Sequence, residues 1–178
     1  MPDVPREPES VDVVFTGQVF SVARERWPGS DHPYDVARHL GAAAVLPVTP
    51  SGDVLLVRQF RPAIRQELVE IPAGLLDVDG EDALTCATRE LLEETGFAHR
   101  TIEFLGGIYT AAGFSNEYVH LFWARTQDEP STSPEPGTTL LRKPFGEIAM
   151  AAKAGRIRDA KTAIAVALAE ARGVGEVR

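Results

Sequence analysis

Residues 71–97 read Ile71-Pro72-Ala73-Gly74-Leu75-Leu76-Asp77-Val78-Asp79-Gly80-Glu81-Asp82-Ala83-Leu84-Thr85-Cys86-Ala87-Thr88-Arg89-Glu90-Leu91-Leu92-Glu93-Glu94-Thr95-Gly96-Phe97. Between 81 and 95 there is no Gly or Pro. Acidic residues open the segment and Gly96 closes it, which predicts a helix whose ends suit its dipole. At about 100° per residue, Glu90, Glu93 and Glu94 share one face, with Leu84, Ala87 and Leu91 as an apolar stripe beside them. Such a helix can pack on a sheet while holding three acids in a cleft. Those acids have two readings: a solvated acidic face, or a site for a hard divalent cation with oxygen ligands, Mg²⁺ being the commonest cellular candidate.

Outward from this helix the chain alternates β-type runs with turns. Segments 11–22, 36–48, 54–60, 69–72, 104–109 and 118–124 are rich in Val, Leu, Phe and Tyr and predict strands. Thr49-Pro50-Ser51-Gly52-Asp53 is a turn that makes 36–48 and 54–60 a hairpin. Residues 128–137 hold three prolines among Ser, Thr, Asp and Glu and form an exposed loop. Two helices are predicted over 144–154 and 159–172, the second with Asp159 as N-cap and Gly173 as stop. The sum is a mixed sheet with about three helices, hence α/β (α+β).

Length and charge bound the function. The 178 residues suit one domain, 1–178. Apolar residues at 44% and charged residues at 25% are globular values. Eighteen basic against 26 acidic residues give a net charge of -8, with no basic cluster, which argues against nucleic acid and anionic membranes as partners. The single cysteine, Cys86, excludes an internal disulfide, and residues 1–10 are charged and proline-rich where a signal peptide would be apolar. The expected compartment is the cytoplasm. No apolar stretch approaches the roughly 18 residues of a membrane span.

The segment from Gly74 to Phe97 resembles the Nudix hydrolase signature, G-x5-E-x7-R-E-U-x-E-E-x-G-U with U apolar, at nearly every fixed position. One departure is an extra residue between Gly74 and Glu81. The resemblance implies an α/β/α sandwich with a mixed central sheet. It also implies Mg²⁺ or Mn²⁺, two or three ions per site, and cleavage of a nucleoside diphosphate linked to another group. Carried over by position, Glu90, Glu93 and Glu94 are the metal ligands with the Ala73 carbonyl as a further donor, and Arg89 orients Glu93. Glu81, about 180° from Glu90 if helical, is either a first-turn acid or an orienting charge.

Further segments, Val57-Arg58-Gln59-Phe60-Arg61-Pro62, Glu70-Ile71-Pro72-Ala73-Gly74, Gly113-Phe114-Ser115-Asn116-Glu117 and Asp159-Ala160-Lys161-Thr162-Ala163, are similar to the ADP-ribose and nucleoside-diphosphate-sugar pyrophosphatase branch. The branch implies substrate contacts among Arg61, Phe60, Glu70, Ser115 and Glu117, Arg61 matching phosphate oxygens with its planar fork. Phe60 or Phe20 can stack on adenine, or serve in packing. Ala112 stands where this branch usually has proline. The branch commonly forms homodimers through its N-terminal strands, here within 1–35. A general base outside the ligand set should come from a mobile loop that closes over the substrate, and in 128–137 Glu135 is the choice over Asp128 and Glu129. His120 reads as a strand residue and Cys86 as helix packing. The reading is therefore a pyrophosphohydrolase giving AMP and a sugar phosphate. The alternatives are a Nudix hydrolase of a dinucleotide or nucleoside triphosphate, and a nucleotide-sugar sensor without turnover.

Overall fold

The computed structural model describes residues 6–175. In chain order the elements are β1 (Ser10–Thr16), β2 (Phe20–Arg26), β3 (Tyr34–His39), β4 (Ala42–Val48), β5 (Asp53–Arg61), β6 (Gln66–Glu70), β7 (Ala73–Leu75), α1 (Ala83–Thr95), β8 (His99–Tyr109), β9 (Tyr118–Thr126), β10 (Thr139–Pro144), α2 (Phe145–Lys153) and α3 (Ala160–Ala171). They fall into two compact units. One runs to Gly41 and adds Tyr109–Tyr118, and the other combines Ala42–Ile108 with the chain from Val119 onward.

The larger unit is organised by β4, an apolar strand buried along its whole length. Its side chains alternate between two clusters, as the period of two in a strand requires. Ala42, Ala44, Leu46 and Val48 face a core that includes Ile148 and Ala149 of α2 and Ala165, Val166 and Ala169 of α3. Ala43 and Val45 face Cys86, Ala87 and Leu91 of α1. Helices therefore cover both faces of the sheet, an α/β/α arrangement. The strand order is β10-β5-β4-β9-β8, with β6 paired to β5 and β7 to β4. β4 runs parallel to β9 and antiparallel to β5, so the sheet is mixed.

The pairing of β4 with β5 is confined to Val48↔Val54 beside the turn. Beyond it the two strands splay, and β6 and β7 fill the gap, each hydrogen-bonded to one of them. This opening carries the segment Glu70 to Leu75 across to α1. The smaller unit holds the antiparallel sheet β1-β2-β3. Every residue of β1 is exposed, including Val11, Val13, Val14 and Phe15.

The two valine-rich segments each prove to be two strands. Segment 11–22 turns at Gly17, whose N–H donates to Phe20 O at 3.0 Å, and β1 returns as β2. Segment 36–48 breaks at Gly41, whose φ of 92° suits glycine and ends β3 before β4 begins. The predicted helix 81–95 starts at Ala83, because the acid that opens it is the cap itself: Asp82 accepts from Thr85 N at 2.7 Å. Leu84, expected in the apolar stripe, is exposed. It lies in the first turn, and the buried side chains of α1 are Cys86, Ala87, Leu91, Glu94 and Thr95. β10 has no apolar run to announce it and pairs along the outer side of β5. Among the described residues no helix is long and apolar enough to cross a membrane.

Candidate active site

Counting about 100° per residue from Glu90, the buried residues of α1 span an arc from about -40° at Cys86 to about +140° at Thr95. Glu90 at 0° and Glu94 at about +40° fall inside that arc, while Glu93 at about -60° falls outside it. Burial follows: Glu94 is 4% exposed, and the Glu90 and Glu93 side chains are 12% and 47% exposed. The acidic face is thus turned partly into the protein.

Each acid is held differently. Gln59 Nε2 donates to Glu94 Oε1 at 2.6 Å, and the Ala73 N–H donates to Glu94 Oε2 at 3.0 Å. Burial nevertheless pushes the Glu94 carboxyl up to about 7, the two hydrogen bonds offsetting only part of the effect. Burial also raises Glu90, against the opposing pull of Arg89. Arg89 grips Glu81 with both arms of a fork, Nε to Oε1 at 2.9 Å and Nη2 to Oε2 at 3.0 Å. Its remaining nitrogen reaches Glu90 at 2.6 Å and Glu93 at 3.0 Å. One guanidinium, its own pKa raised chiefly by the bond to Glu81, therefore orients three carboxylates. Glu81 lies ahead of the cap and acts as the orienting charge, held below its ordinary range by Arg89.

Gly74 sets the depth of Glu90. A Cβ built on Gly74 would stand 1.7 Å from Glu90 Oε1 and 2.1 Å from its Cδ, so only glycine lets this carboxylate lie against β7. The loop between Gly74 and Glu81 closes in the turn Val78–Glu81, where Glu81 N bonds Val78 O at 3.0 Å and Gly80 has φ 79°. Cys86 is buried, with Sγ 3.4 Å from Leu75 O, and burial raises its thiol to about 11. It is a packing residue rather than a nucleophile.

The loop before β10 is fastened to the end of α1 instead of hanging free. Ser131 N and Thr132 N donate to Gly96 O at 2.7 and 3.2 Å, and Glu135 N donates to Glu93 O at 2.8 Å. Gly96 permits this, since a Cβ there would meet Thr132 O at 2.2 Å. Glu135 is thereby brought beside Glu93, and its charge contributes to raising Glu90. Glu129 is exposed, and Asp128 pairs with Arg100.

Of the other predicted residues, Arg61 and Glu70 meet, Arg61 Nε donating to Glu70 Oε1 at 2.6 Å. Glu70 is buried and turned inward, while Phe60 is exposed. Ser115, Glu117 and Phe20 belong to the smaller unit. There Ser115 Oγ accepts from Glu117 N at 3.1 Å, Glu117 takes a short hydrogen bond from the Thr110 hydroxyl, and Phe20 packs against Phe15. His120 lies in β9 with its ring against Phe104. Gln59 was not singled out from the sequence, although it stands in the quoted Val57 to Pro62 segment. No pattern marks a strand amide that bonds a helix 35 residues away.

Glu90, Glu93, Glu94 and the Ala73 carbonyl, the ligands that the resemblance implies, are all oxygen donors, the chemistry that suits Mg²⁺ or Mn²⁺. Among the described residues no three acidic, His or Cys side chains already surround a common point. Arg89, Gln59 and the Ala73 N–H hold the oxygens that would turn to an ion. Two buried carboxyls driven upward by desolvation are what an incoming divalent charge would relieve, so the residues fit the ion.

Comparison with known proteins bears on this geometry. The NUDIX domain pattern matches residues 37–161. The "Methanol dehydrogenase activator" of Bacillus methanolicus is 34% identical over 160 residues, 86% of each chain. The "ADP-ribose pyrophosphatase" of Bacillus subtilis (strain 168) is 32% identical over 160 residues, again 86% of each. The "GDP-mannose pyrophosphatase" of Cronobacter sakazakii is 34% identical over 145 residues, 75% of each.

Proposed function

Because this chain belongs to the Nudix family and is a pyrophosphohydrolase acting on nucleoside diphosphate sugars, we propose that its substrate is ADP-ribose, cleaved to AMP and ribose 5-phosphate. Nudix hydrolases in general use divalent metals, and Mg²⁺ or Mn²⁺, two or three ions per site, is our assignment. When bound, these ions would neutralise the diphosphate and favour attack by water. The observation that carries the reading is the gathering of Glu90 and Glu93 under Arg89, with Glu94 held by Gln59 and the Ala73 N–H on the same helix face and Glu135 fastened beside them.

Each residue has a role in this reading. Glu90, Glu93, Glu94 and the Ala73 carbonyl hold the ions, and Arg89 with Glu81 fixes the carboxylates in register. Arg61 meets the diphosphate, and Phe60 offers an exposed ring to the base. Ser115 and Glu117 are kept as substrate contacts on the family resemblance alone. Glu135 takes the proton of the attacking water, since it stands next to the ligands without being one of them. The exposed apolar side chains of β1 support a homodimer formed through the N-terminal strands. We place the enzyme in the reducing cytoplasm, with Cys86 as a buried thiol.

A second substrate, GDP-mannose, is favoured by relatives bearing that name and by Ala112 in place of the usual proline. Ranking kcat/KM for ADP-ribose against GDP-mannose, a dinucleotide and a nucleoside triphosphate tests the assignment. ADP-ribose should lead, and a clear preference for any of the others would replace it.

A further inference from the structure

The segment 159–163 resembled the family branch without receiving a role, and in the structure it reaches the active-site strand. Glu70, 1% exposed, has both carboxylate oxygens engaged: Oε1 accepts from Arg61 Nε at 2.6 Å and Oε2 accepts from Lys161 Nζ. Lys161, itself 15% exposed, also reaches Asp159 Oδ1 at 3.0 Å. Asp159 caps α3 through Thr162 N at 3.0 Å, and the Thr162 hydroxyl accepts from Ile71 N at 2.8 Å. Burial would push the Glu70 carboxyl upward, but Arg61 and Lys161 together hold it below its ordinary value.

Arg61 holds Glu70 at a single point, as Arg38 holds Glu25 and Arg100 holds Asp128, while two other arginines close two-point forks. Arg24 holds Asp35 with Nε on one oxygen and Nη2 on the other, and Arg89 holds Glu81 in the same two-point fork. Arg142 bonds Asp53 through Nε alone, but its Nη2 is drawn off by Ser51 and Thr49. Arg61 bonds Glu70 through Nε alone, and among the described residues its terminal nitrogens have no hydrogen-bond partner. The second oxygen of Glu70 is occupied by Lys161, just as the second oxygen of Glu25 beside the single-point Arg38 is occupied by Trp27 Nε1. A guanidinium denied that oxygen keeps its terminal amino groups for another planar or tetrahedral anion.

We propose that Lys161 is a positioning residue: by occupying Glu70 Oε2 it prevents Arg61 from closing a two-point fork and so keeps the terminal nitrogens of Arg61 available to the substrate diphosphate. The inference rests on the reading of Arg61 as a phosphate contact. Lys161 touches neither substrate nor ion. It acts through Glu70 and Arg61.

The test is a double-mutant cycle read as KM and kcat for ADP-ribose with Mg²⁺. Lys161→Met frees Oε2, and Arg61 then closes its fork. KM should rise about tenfold with kcat within about twofold, because binding of the diphosphate is lost while the carboxylates of α1 are untouched. In an Arg61→Met background, itself raised in KM, the same Lys161→Met change should have no further effect. Lys161→Arg, which keeps a cation on Oε2, should restore the parental KM. Equal effects of Lys161→Met in both backgrounds, or a fall confined to kcat, would overturn the proposal. An unchanged KM in Arg61→Met would instead remove the reading beneath it. The parent protein supplies a measurement free of folding effects, side-chain NMR of ¹⁵N-labelled arginine. The terminal amino groups of Arg61 should rotate faster than those of the forked Arg89 and slow on adding ADP-ribose with Ca²⁺. Equal restraint in the two arginines without ligand would contradict it.

Discussion

Gly74→Ala should separate catalysis from stability more cleanly than any other change in this site. The added Cβ would lie 1.7 Å from Glu90 Oε1, where ordinary contact begins at 3.4 Å, so that oxygen must retreat by as much again. Its Cδ and Cγ, at 2.1 and 2.7 Å, must move too, so the whole side chain turns. The bond from Arg89 to Glu90, 2.6 Å long, cannot survive a displacement of that size. Misplacement of a reacting geometry by about 1 Å costs on the order of a hundredfold in rate. Gly74 has no left-handed backbone to protect, and what yields is the single Glu90 side chain and no backbone, so folding stability should change by less than about 1 kcal/mol. The assay is kcat/KM for ADP-ribose beside a thermal melt. Gly146→Ala in α2, where nothing lies within 4 Å of the new Cβ, is the control. Parental kcat/KM in Gly74→Ala would refute the argument that glycine seats Glu90, and so would a loss fully explained by unfolding at the assay temperature.

Glu94→Gln removes a charge and an ion ligand while keeping the shape, and kcat/KM should fall by about two orders of magnitude or more; a near-parental rate would move the site elsewhere. The same variant tests the raised carboxyl. From its ordinary 4.5 up to about 7, the folded protein keeps on Glu94 a proton that the unfolded chain has lost, so stability falls as pH rises through that window. Melts in chelator from pH 5 to 8 should show this decline, and Glu94→Gln should flatten it. Glu135→Gln should lower kcat strongly with KM unchanged while Glu129→Gln stays silent; a parental rate for Glu135→Gln would remove Glu135 as the base. Light scattering should return twice the 19.3 kDa of one chain, and a fully active monomer would refute dimerisation through β1.

The metal-side carboxylates were legible because a helix converts sequence spacing directly into angle, so Glu90, Glu93 and Glu94 needed no tertiary knowledge to be grouped. Their unequal burial was not legible. It depends on which arc of α1 the sheet covers, an arc that takes in Glu94 and not Glu93, and on where along the helix the cover begins, since Leu84 in the first turn stays exposed although its angle falls within the arc. The breaks at Gly17 and Gly41 were signalled by glycine but hidden inside apolar runs, where composition favours one long strand. The pairs Gln59 with Glu94 and Glu70 with Lys161 join residues 35 and 91 apart, and only the splaying of β4 from β5 brings them together. Glu135 could be chosen from its loop, but the tie from its N–H to Glu93 arises because Gly96 leaves room for the chain to cross the end of α1.

The most direct test of the central claim is to incubate the purified protein with ADP-ribose and Mg²⁺, with and without excess chelator, and to identify the products by mass. The account predicts AMP and ribose 5-phosphate in equal amounts, formed only where the divalent ion is free. Undiminished turnover in chelator, or products cut anywhere but the pyrophosphate bond, would contradict it.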